Sequence, residues 1–372
     1  MCLVKKGVHS NMNKIFKVVW SKTKECYVVV SEVAKNNGGK KKALASVLAG
    51  LAMVAATAGT PVQAEVGLGG SSVNITPDGT LNGSNRVTPN SIVVGYQNRT
   101  TGGSGNGHVI YGANNVANQD SSMALGNQNV ATGPAASAIG VGSQATGRNT
   151  IAVGNVAKAS NTDNIAIGTY SEALTSGQDA YALAVGSYSK ANAHMAVGIG
   201  AIAKATGSES TAVGAGSTAS GANSTALGAR NTASGQNATA IGYGNTSKVE
   251  DTITIGTSNN ANTGGGIAIG QNNLADATAN GGRNAGSTQI AIGRDNRAAR
   301  EDTIAIGREA KAENDLSVAI GNRTEATANA AIAIGTNGAP SGGNTYKTTA
   351  SGFAAVAIGM QSNSSGTAST AV

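Results

Sequence analysis

A short apolar phrase that ends in glycine recurs along most of the chain, from about residue 91 onward. It runs β-former, Ala, aliphatic, Gly, as at residues 151–154 (IAVG) and 304–307 (IAIG). Eleven of the seventeen intervals between these glycines are 14 residues long, which predicts a repeat architecture. The predicted anchor glycines are Gly95, Gly112, Gly126, Gly140, Gly154, Gly168, Gly186, Gly198, Gly214, Gly228, Gly242, Gly256, Gly270, Gly293, Gly307, Gly321, Gly335 and Gly359.

The phrase has the side-chain pattern of a β-strand that is apolar on both faces. Side chains alternate along a strand, so Ile304 and Ile306 point one way and Ala305 the other. One face carries branched side chains, whereas the other carries only a methyl group, so another backbone must pass close to it. Strands that are apolar on both faces are buried on both faces.

A second Gly or Asn recurs seven residues after the anchor in several repeats and predicts a second corner with positive φ. Two corners and two short strands per 14 residues make each repeat one coil of a flattened solenoid. Coils that pair in parallel at about 4.8 Å give a rod on the order of 85 Å long. The second-corner residues are Gly133, Gly147, Gly221, Gly235, Gly342, Asn161 and Asn314.

One such rod is too thin to be stable alone. A coil of Ile, Val and Ala encloses little volume, and the apolar outer face needs a second surface to cover it. Self-association of identical chains along their length is the simplest solution, so we predict a homo-oligomer.

Residues 1–64 are predicted to be an export signal, helical or unstructured. Three lysines at 40–42 precede a short apolar run at 43–57, and residues 62–64 (VQA) have the small-residue pattern of a cleavage site. We predict cleavage after Ala64. A lead-in segment at 65–90 and the repeats at 91–372 then form the mature chain.

Composition excludes several classes of function. The net charge of +7 is misleading, because ten of the 26 basic residues lie in residues 1–64 and the remainder is close to neutral. A nucleic-acid partner is therefore not expected. Both cysteines, Cys2 and Cys26, lie in the same segment, and His108 and His194 fall in different repeats. We predict no cofactor, no metal site and no catalytic residue.

Residues 12–33 (MNKIFKVVWSKTKECYVVVSEV) resemble the extended signal peptide region of large autotransporters from Gram-negative bacteria. The departures from the usual pattern are Tyr27 in place of Trp and Val33 in place of Leu. The resemblance implies that translation begins at Met12.

The repeats resemble the YadA-like head of the trimeric autotransporter adhesins, whose motif is N-S-V-A-I-G-x-x-S. The closest copy here is residues 316–324 (LSVAIGNRT). The resemblance implies an all-β fold, a left-handed parallel β-roll of 14-residue coils assembled as a homotrimer. It also implies a surface adhesin, not an enzyme, that binds host matrix, host cells or other bacteria. Because the full motif never occurs whole, collagen as ligand is disfavoured.

Members of this family also carry a neck, a coiled-coil stalk and a C-terminal β-barrel anchor. Repeat-like sequence continues here to Val372, without heptads or amphipathic barrel strands. We therefore expect a truncated or partial chain, with outer-membrane anchoring supplied by a part not included in it.

Two long insertions and a basic cluster are the candidates for ligand contact, since insertions in a solenoid form loops. The insertions lie between Gly270 and Gly293 and between Gly335 and Gly359. Interleaved acids give the cluster an alternative interpretation, a ladder of solvated charges between coils. The candidate contact residues are Arg283, Arg294, Arg297, Arg300, Arg308, Lys311, Arg323, Tyr346 and Lys347.

Three functions fit the pattern to different degrees. The first is an adhesin head, and the second is a non-binding spacer of a surface fibre. The third, a solenoid enzyme or a phage-tail-like depolymerase, is disfavoured by the export signal and by the absence of repeated carboxylate pairs.

Overall fold

A computed structural model describes residues 16–21, 26–31, 73–75, 85, 88, 90–101, 107–176, 180–276, 288–336 and 347–372. Within these ranges the secondary structure consists of short strands and turns, with no helix. The chain divides into two compact units, Met1–Val62 and Gln63–Val372.

The first unit contains an antiparallel hairpin. Strand β1 (Phe16–Ser21) pairs with β2 (Cys26–Ser31), with Trp20 opposite Tyr27. The expectation of a helical or unstructured segment is therefore wrong for these residues. Both stretches are rich in Val and aromatic residues, which favour strands over helices.

The second unit is a parallel solenoid whose longer strands form one sheet. This first sheet contains β3 (Val73–Ile75), β4 (Ile92–Tyr96), β6 (Val109–Ala113), β8 (Met123–Asn127), β10 (Ser137–Val141), β12 (Ile151–Asn155), β14 (Ile165–Ile167), β16 (Leu183–Val185), β18 (Val197–Ile199), β20 (Thr211–Val213), β22 (Thr225–Leu227), β24 (Thr239–Tyr243), β26 (Ile253–Thr257), β28 (Ile267–Gln271), β30 (Ile290–Arg294), β32 (Ile304–Arg308), β34 (Val318–Asn322), β36 (Ile332–Thr336), β38 (Val356–Ile358) and β40 (Thr370–Ala371).

Shorter strands form a second parallel sheet, one strand between successive strands of the first. This second sheet contains β5 (Arg99–Thr100), β7 (Val116–Ala117), β9 (Val130–Ala131), β11 (Gln144–Ala145), β13 (Lys158–Ser160), β15 (Glu172–Leu174), β17 (Lys190–Ala191), β19 (Lys204–Ala205), β21 (Thr218–Ala219), β23 (Thr232–Ala233), β25 (Thr246–Ser247), β27 (Asn260–Ala261), β29 (Leu274–Ala275), β31 (Arg297–Ala298), β33 (Lys311–Ala312), β35 (Glu325–Ala326), β37 (Thr349–Ala350) and β39 (Asn363–Ser364).

The register of both sheets follows the sequence period. Ala138 pairs with Ala152, 14 residues later, and Ala145 pairs with Ala159. At the longer intervals the same positions still pair, as in Ile267 with Ile290, so the extra residues lie outside the ladder. The predicted all-β solenoid of 14-residue coils is confirmed.

The interior of the roll is lined mainly by alanine methyl groups. The Ala two residues before each anchor and the Ala five residues after it are almost all fully buried, as Ala138 and Ala145 are. Branched side chains on either side of the first Ala, such as Ile304 and Ile306, point outward and are half-buried. The predicted alternation is thus present, and the chain does not cover the branched face itself.

Anchor glycines are required both by conformation and by space. Gly126 has φ of 121°, and a Cβ there would lie 1.9 Å from the carbonyl oxygen of Gly140 in the next coil. One predicted anchor is wrong. Gly198 pairs with Ala184 and Ala212 at the interior position, and Gly200, with φ of 126°, is the anchor. With Gly200 as anchor, the spacing in this part of the rod becomes a regular 14.

The predicted conformation of the second corner is mostly wrong. Gly133, Gly147, Gly221 and Gly235 do not have positive φ, and among the other predicted corners Asn161 does, at 65°. Glycine is needed there for space, since a Cβ on Gly133 would lie 1.9 Å from the Gly147 carbonyl oxygen. Besides the anchor, the left-handed residues lie two and nine positions after it. Gly342 lies outside the described residues.

Buried asparagines tie neighbouring coils together. The Asn129 amide donates to the carbonyl oxygens of Leu125 at 2.9 Å and Gly140 at 2.7 Å, and its Oδ1 accepts the Ser143 N–H at 2.9 Å. Each such bond contributes roughly 0.5–1.5 kcal/mol and satisfies a backbone group that would otherwise be buried without a partner. The ladder members are Asn98, Asn115, Asn129, Asn231, Asn245, Asn259, Asn273 and Asn296.

Candidate adhesive surface

The solenoid presents every outward position as a column that runs along the rod, because coils stack in register. On the outward face of the first sheet, the position one residue before the anchor forms an apolar column. The position three residues before it is mostly Ile, Val, Leu or Met, with one serine and three threonines. These side chains remain half-buried or exposed, for example Ile151, Val153 and Leu227. A continuous apolar face of this kind on a soluble chain marks a surface that contacts something else.

Two of the predicted contact arginines stand side by side at the end of first-sheet strands. Arg294 and Arg308 occupy paired positions in β30 and β32 and are exposed. Each has an acidic neighbour, with Arg294 Nε 3.5 Å from Asp295 and Arg308 Nε 3.5 Å from Glu309.

Further basic residues lie on the second sheet around one glutamate. Arg297, Lys311 and Glu325 pair in register through β31, β33 and β35. Lys311 Nζ lies 3.2 Å and Lys347 Nζ 2.6 Å from Glu325 Oε1. Burial acts to raise the pKa of Glu325, but the hydrogen bonds from Lys347 and Lys311 outweigh it, so the pKa is lowered.

Arg323 completes this group. Its Nε donates to Glu309 Oε2 at 2.7 Å, and this bond is the main reason why the pKa of Glu309 is lowered. Glu309, Lys311, Arg323, Glu325 and Lys347 line a shallow open cavity of about 230 Å³. Among the predicted contact residues, the structure therefore brings Lys311, Arg323 and Lys347 together around two acids.

The remaining predicted residues do not join this group. Arg297 reaches Glu313 only at 4.0 Å, and Arg300 is half-buried on the next turn, where its carbonyl accepts the Gln289 amide at 3.0 Å. Arg283 and Tyr346 lie outside the described residues. Like charges stand in register at Arg294–Arg308 and at Arg297–Lys311. Each of these four cations lies within 4.0 Å of a glutamate or aspartate, so the geometry suits a ladder of ion pairs.

Sequence reasoning missed a column of large apolar side chains. Val156, Tyr170, Tyr188 and Ile202 each lie two residues after an anchor, at a left-handed corner, and we call them the corner ladder. The Tyr170 and Tyr188 rings stack with centroids 5.1 Å apart. Counting residues from each anchor would have shown in the sequence that these four side chains share one position of the coil. Tyr181 and Met195 occupy the other left-handed corner, five residues before the anchors Gly186 and Gly200.

A search for metal-binding groups finds no cluster of three or more His, Cys, Asp or Glu side chains in the described ranges. His108 is buried inside the roll, where its Nδ1 lies 2.9 Å from the Ser122 hydroxyl. No helix in the part of the chain that the structure describes has the length and apolar character needed to span a membrane.

Comparison with known families matches two parts of the sequence. Residues 12–59 match the Extended Signal Peptide of Type V secretion system. Comparison with curated proteins finds no match. The YadA head domain repeat matches at residues 112–129, 117–143, 131–157, 145–171, 191–217, 219–245, 290–310 and 312–337.

These two matches fall in the order that export to the surface requires, signal first and head after it. YadA-like heads form homotrimers in general, and the family is non-enzymatic in general. An extended signal peptide of the type V secretion system and YadA head repeats are the hallmarks of proteins secreted to the bacterial cell surface by this route, and the chain belongs to the trimeric autotransporter adhesins.

Proposed function

We propose that this chain is an adhesin head that attaches the bacterium to host matrix, host cells or other bacteria. The observation that carries the proposal is the stack of outward columns, which repeats surface side chains every coil over a long rigid rod. Repetition multiplies weak contacts, so a surface of this kind gains avidity without a deep binding pocket.

The head assembles from three copies that pack through the outward face of the first sheet. Ile304, Ile306, Val318 and Ile320 are typical of this face, with one branched pair per coil. Burying apolar surface contributes roughly 25 cal/mol per Å², and the alanine interior alone offers few methylene groups. Association of the aliphatic faces supplies the stabilisation that a single roll lacks.

The exposed cations are the candidate ligand contacts within this function. Arg294 and Arg308 lie at the ends of first-sheet strands, Arg297 begins β31, and Arg300 is half-buried on the turn that follows β31. An acidic or matrix ligand would meet them without first breaking a buried ion pair, since their acidic neighbours are themselves partly exposed.

A spacer that carries another binding domain outward is the second candidate function. The ion pairs around Glu309 and Glu325 support it, because paired charges stabilise stacked coils without a ligand. The two functions differ in one measurable property: only an adhesin head attaches to a surface by itself.

The test uses the full chain exported by a bacterial host. Purified protein is crosslinked and its mass measured by light scattering, and it is then applied to surfaces coated with collagen, fibronectin, laminin or albumin. We expect trimers that are retained on at least one matrix protein and not on albumin. Trimers that are retained on none of these proteins would contradict the adhesin function and support the spacer function.

A pair of variants tests the packing face. Ile306→Asp with Ile320→Asp places two charges on the outward face of the first sheet and should yield monomers. The matched control, Thr218→Asp with Thr232→Asp, places the same charges on the outward face of the second sheet in two paired positions. Trimers from the first variant, or monomers from the control, would contradict the proposed packing.

A further inference from the structure

The corner ladder is unusual because it combines two unfavourable features. Its exposed members are large and apolar: Tyr170, Tyr188 and Ile202 expose 45%, 53% and 54% of their surface. All four members also have left-handed φ, between 54° and 60°. That conformation costs roughly 1–2 kcal/mol for a residue with a Cβ, and bulky or β-branched residues are outliers there.

The fold itself demands the left-handed corner, whatever residue occupies it. The Tyr188 N–H donates to the Thr169 carbonyl at 2.8 Å and the Ile202 N–H to the Ser187 carbonyl at 2.9 Å, and the same coil-to-coil bond recurs along the rod. Gly or Asn would satisfy this corner at lower cost. Large apolar residues at four successive coils therefore weaken both the folding and the solubility of the rod, and strain of this kind concentrates at functional sites.

The same column is polar or glycine elsewhere, which argues against burial by a sister chain. A corner that lies in the seam between copies would be apolar along the whole rod, as the column one residue before the anchor is. This corner is therefore solvated in the assembled head as well. In the other described coils the column reads Gln97, Asn114, Gln128, Gly142, Gly216, Arg230, Gly244, Ser258, Asn272, Asp295, Glu309, Arg323 and Gln361.

A charged column runs beside the ladder, since each ladder residue is followed two positions later by Lys or Glu. Glu172 lies 2.8 Å from Lys190, so these two charges neutralise each other. Lys158 and Lys204 form no ion pair with any residue in the described ranges and leave the strip with a positive charge. The complementary surface is apolar and acidic.

Ring stacking narrows the kind of partner further. The facing surfaces of Tyr170 and Tyr188 cover each other, so the stacked pair offers fewer open ring faces to a sugar than two separate rings would. Tyr side chains presented in this way are frequent anchors in protein interfaces. Three intervals of about 4.8 Å give a strip near 14 Å long, which four or five residues of an extended peptide would span.

We propose that the corner ladder, Val156–Tyr170–Tyr188–Ile202 with Lys158, Lys190 and Lys204 beside it, is a docking strip for an extended acidic protein segment with apolar side chains. The proposal deepens the adhesin function proposed above and rests on it. A trimeric head carries three such strips, so a partner with several acidic segments gains avidity over a single contact.

The test measures binding of labelled eight-residue peptides to the full chain by fluorescence anisotropy. The probes alternate Leu with Glu, Leu with Lys, or Ser with Glu. The Leu–Glu peptide should bind about tenfold more tightly than the Leu–Lys peptide, because a few exposed charge pairs contribute about 1.4 kcal/mol in total. It should also bind about tenfold more tightly than the Ser–Glu peptide, because serine has no apolar side chain to place against the ladder. Equal binding of all three peptides, or no binding, would overturn the proposal.

The decisive variant is Tyr188→Asn with Ile202→Asn, since Asn occupies this corner in other coils. Leu–Glu peptide binding should fall at least about tenfold, while trimer mass is unchanged and the melting temperature is equal or higher. The matched control is Tyr181→Asn with Met195→Asn. It removes two side chains of similar exposure, 48% and 49%, from the other left-handed corner and should leave peptide binding unchanged.

Each remaining outcome overturns the proposal in its own way. Dissociation of the trimer by the ladder variant would make the ladder a contact between sister chains. Binding of the wild-type chain to phosphatidylglycerol vesicles but not to the Leu–Glu peptide would make it a membrane contact. Retention on matrix surfaces without peptide binding would remove the docking strip and leave the adhesin function standing.

Discussion

The Ser247 and Thr254 hydroxyl groups lie 2.8 Å apart inside the roll, facing each other across the coil. The surrounding interior positions are alanine, and the buried alanine core is divided here into two clusters, one ending at Ala240 and the other beginning at Ala261. Ser247 also donates to the Thr239 carbonyl at 2.8 Å, so it accepts the Thr254 hydroxyl. A hydrogen-bonded pair thus replaces two facing methyl groups.

This pair predicts an asymmetric double-mutant cycle. Ser247→Ala leaves the Thr254 hydroxyl with only a 3.4 Å contact to Thr239 and should cost about 1–3 kcal/mol, the usual penalty for a buried unsatisfied group. Thr254→Val should cost less, because Ser247 keeps its bond to the Thr239 carbonyl. The double variant, with both groups apolar, should be close to wild type.

Urea unfolding followed by far-UV circular dichroism checks the cycle. The control is Ala233→Ser, which places an unpaired hydroxyl at the equivalent interior position one coil earlier in the second sheet. A Ser247→Ala variant as stable as the double variant would show that the hydroxyl pair is not coupled.

Two glycines in one coil separate the need for space from the need for a left-handed backbone. Gly140 has φ of 128° and its Cβ would lie 1.9 Å from the Gly154 carbonyl oxygen, whereas Gly142 has φ of 66° and its Cβ would meet only the Val156 Cγ2, at 3.7 Å. We expect Gly140→Ala to disrupt folding of the head and Gly142→Ala to cost about 1 kcal/mol. Thermal unfolding of the two variants gives the comparison, and similar losses in both would contradict the steric argument.

How far the sequence predicts the fold is visible in these glycines. The 14-residue period and the Ala–aliphatic alternation are enough to predict parallel coils, because they reflect a core that only methyl groups fit. They are not enough to distinguish Gly198 from Gly200, since a glycine is tolerated at the interior position as well as at the anchor. Likewise, Gly133 is required because a Cβ would not fit there, and not because its φ is positive. The residue type alone does not separate these two requirements.

The candidate surface was harder to predict than the fold. The charged residues stand out in the sequence, but their pairing with Glu309 and Glu325 depends on which positions share a corner of the coil. The corner ladder was missed for a different reason. Tyr170 and Ile202 are residues that a sequence-based interpretation does not place at positive φ, so the anchor-plus-two position was not recognised as a corner.

The ion pairs that Lys311 and Lys347 form with Glu325 predict that the stability of the rod depends on pH. The pKa of Glu325 is lowered in the folded chain, so the group contributes stability above the unfolded pKa, and this contribution is lost as pH falls through the folded value. Glu325→Gln should therefore lower the free energy of unfolding near pH 7, by less than about 1 kcal/mol for such partly exposed pairs, and the difference from wild type should vanish once the pH lies below the lowered pKa of Glu325.

Glu313→Gln is the matched control, because Glu313 meets Arg297 only at 4.0 Å on the same sheet face. Thermal melts at pH 7, 5 and 3 give the measurement. A Glu325→Gln difference that persists unchanged at pH 3 would mean that packing of the side chain, and not its charge, supports this part of the rod.

The exposed arginines give the test of direct ligand contact. Arg294→Gln, Arg297→Gln and Arg300→Gln together remove three cations near the insertion between Gly270 and Gly293 and should lower attachment to the matrix surface several-fold, because long-range attraction and direct pairing to acidic groups are both lost. Trimer yield should not change, since none of the three lies among the aliphatic columns of the first sheet. The control is Arg99→Gln, Arg148→Gln and Lys248→Gln, which removes the same charge from elsewhere on the rod. If both triple variants attach as well as wild type, the basic cluster serves only to stack coils. If both lose attachment equally, the ligand responds to the overall charge of the rod and not to this surface.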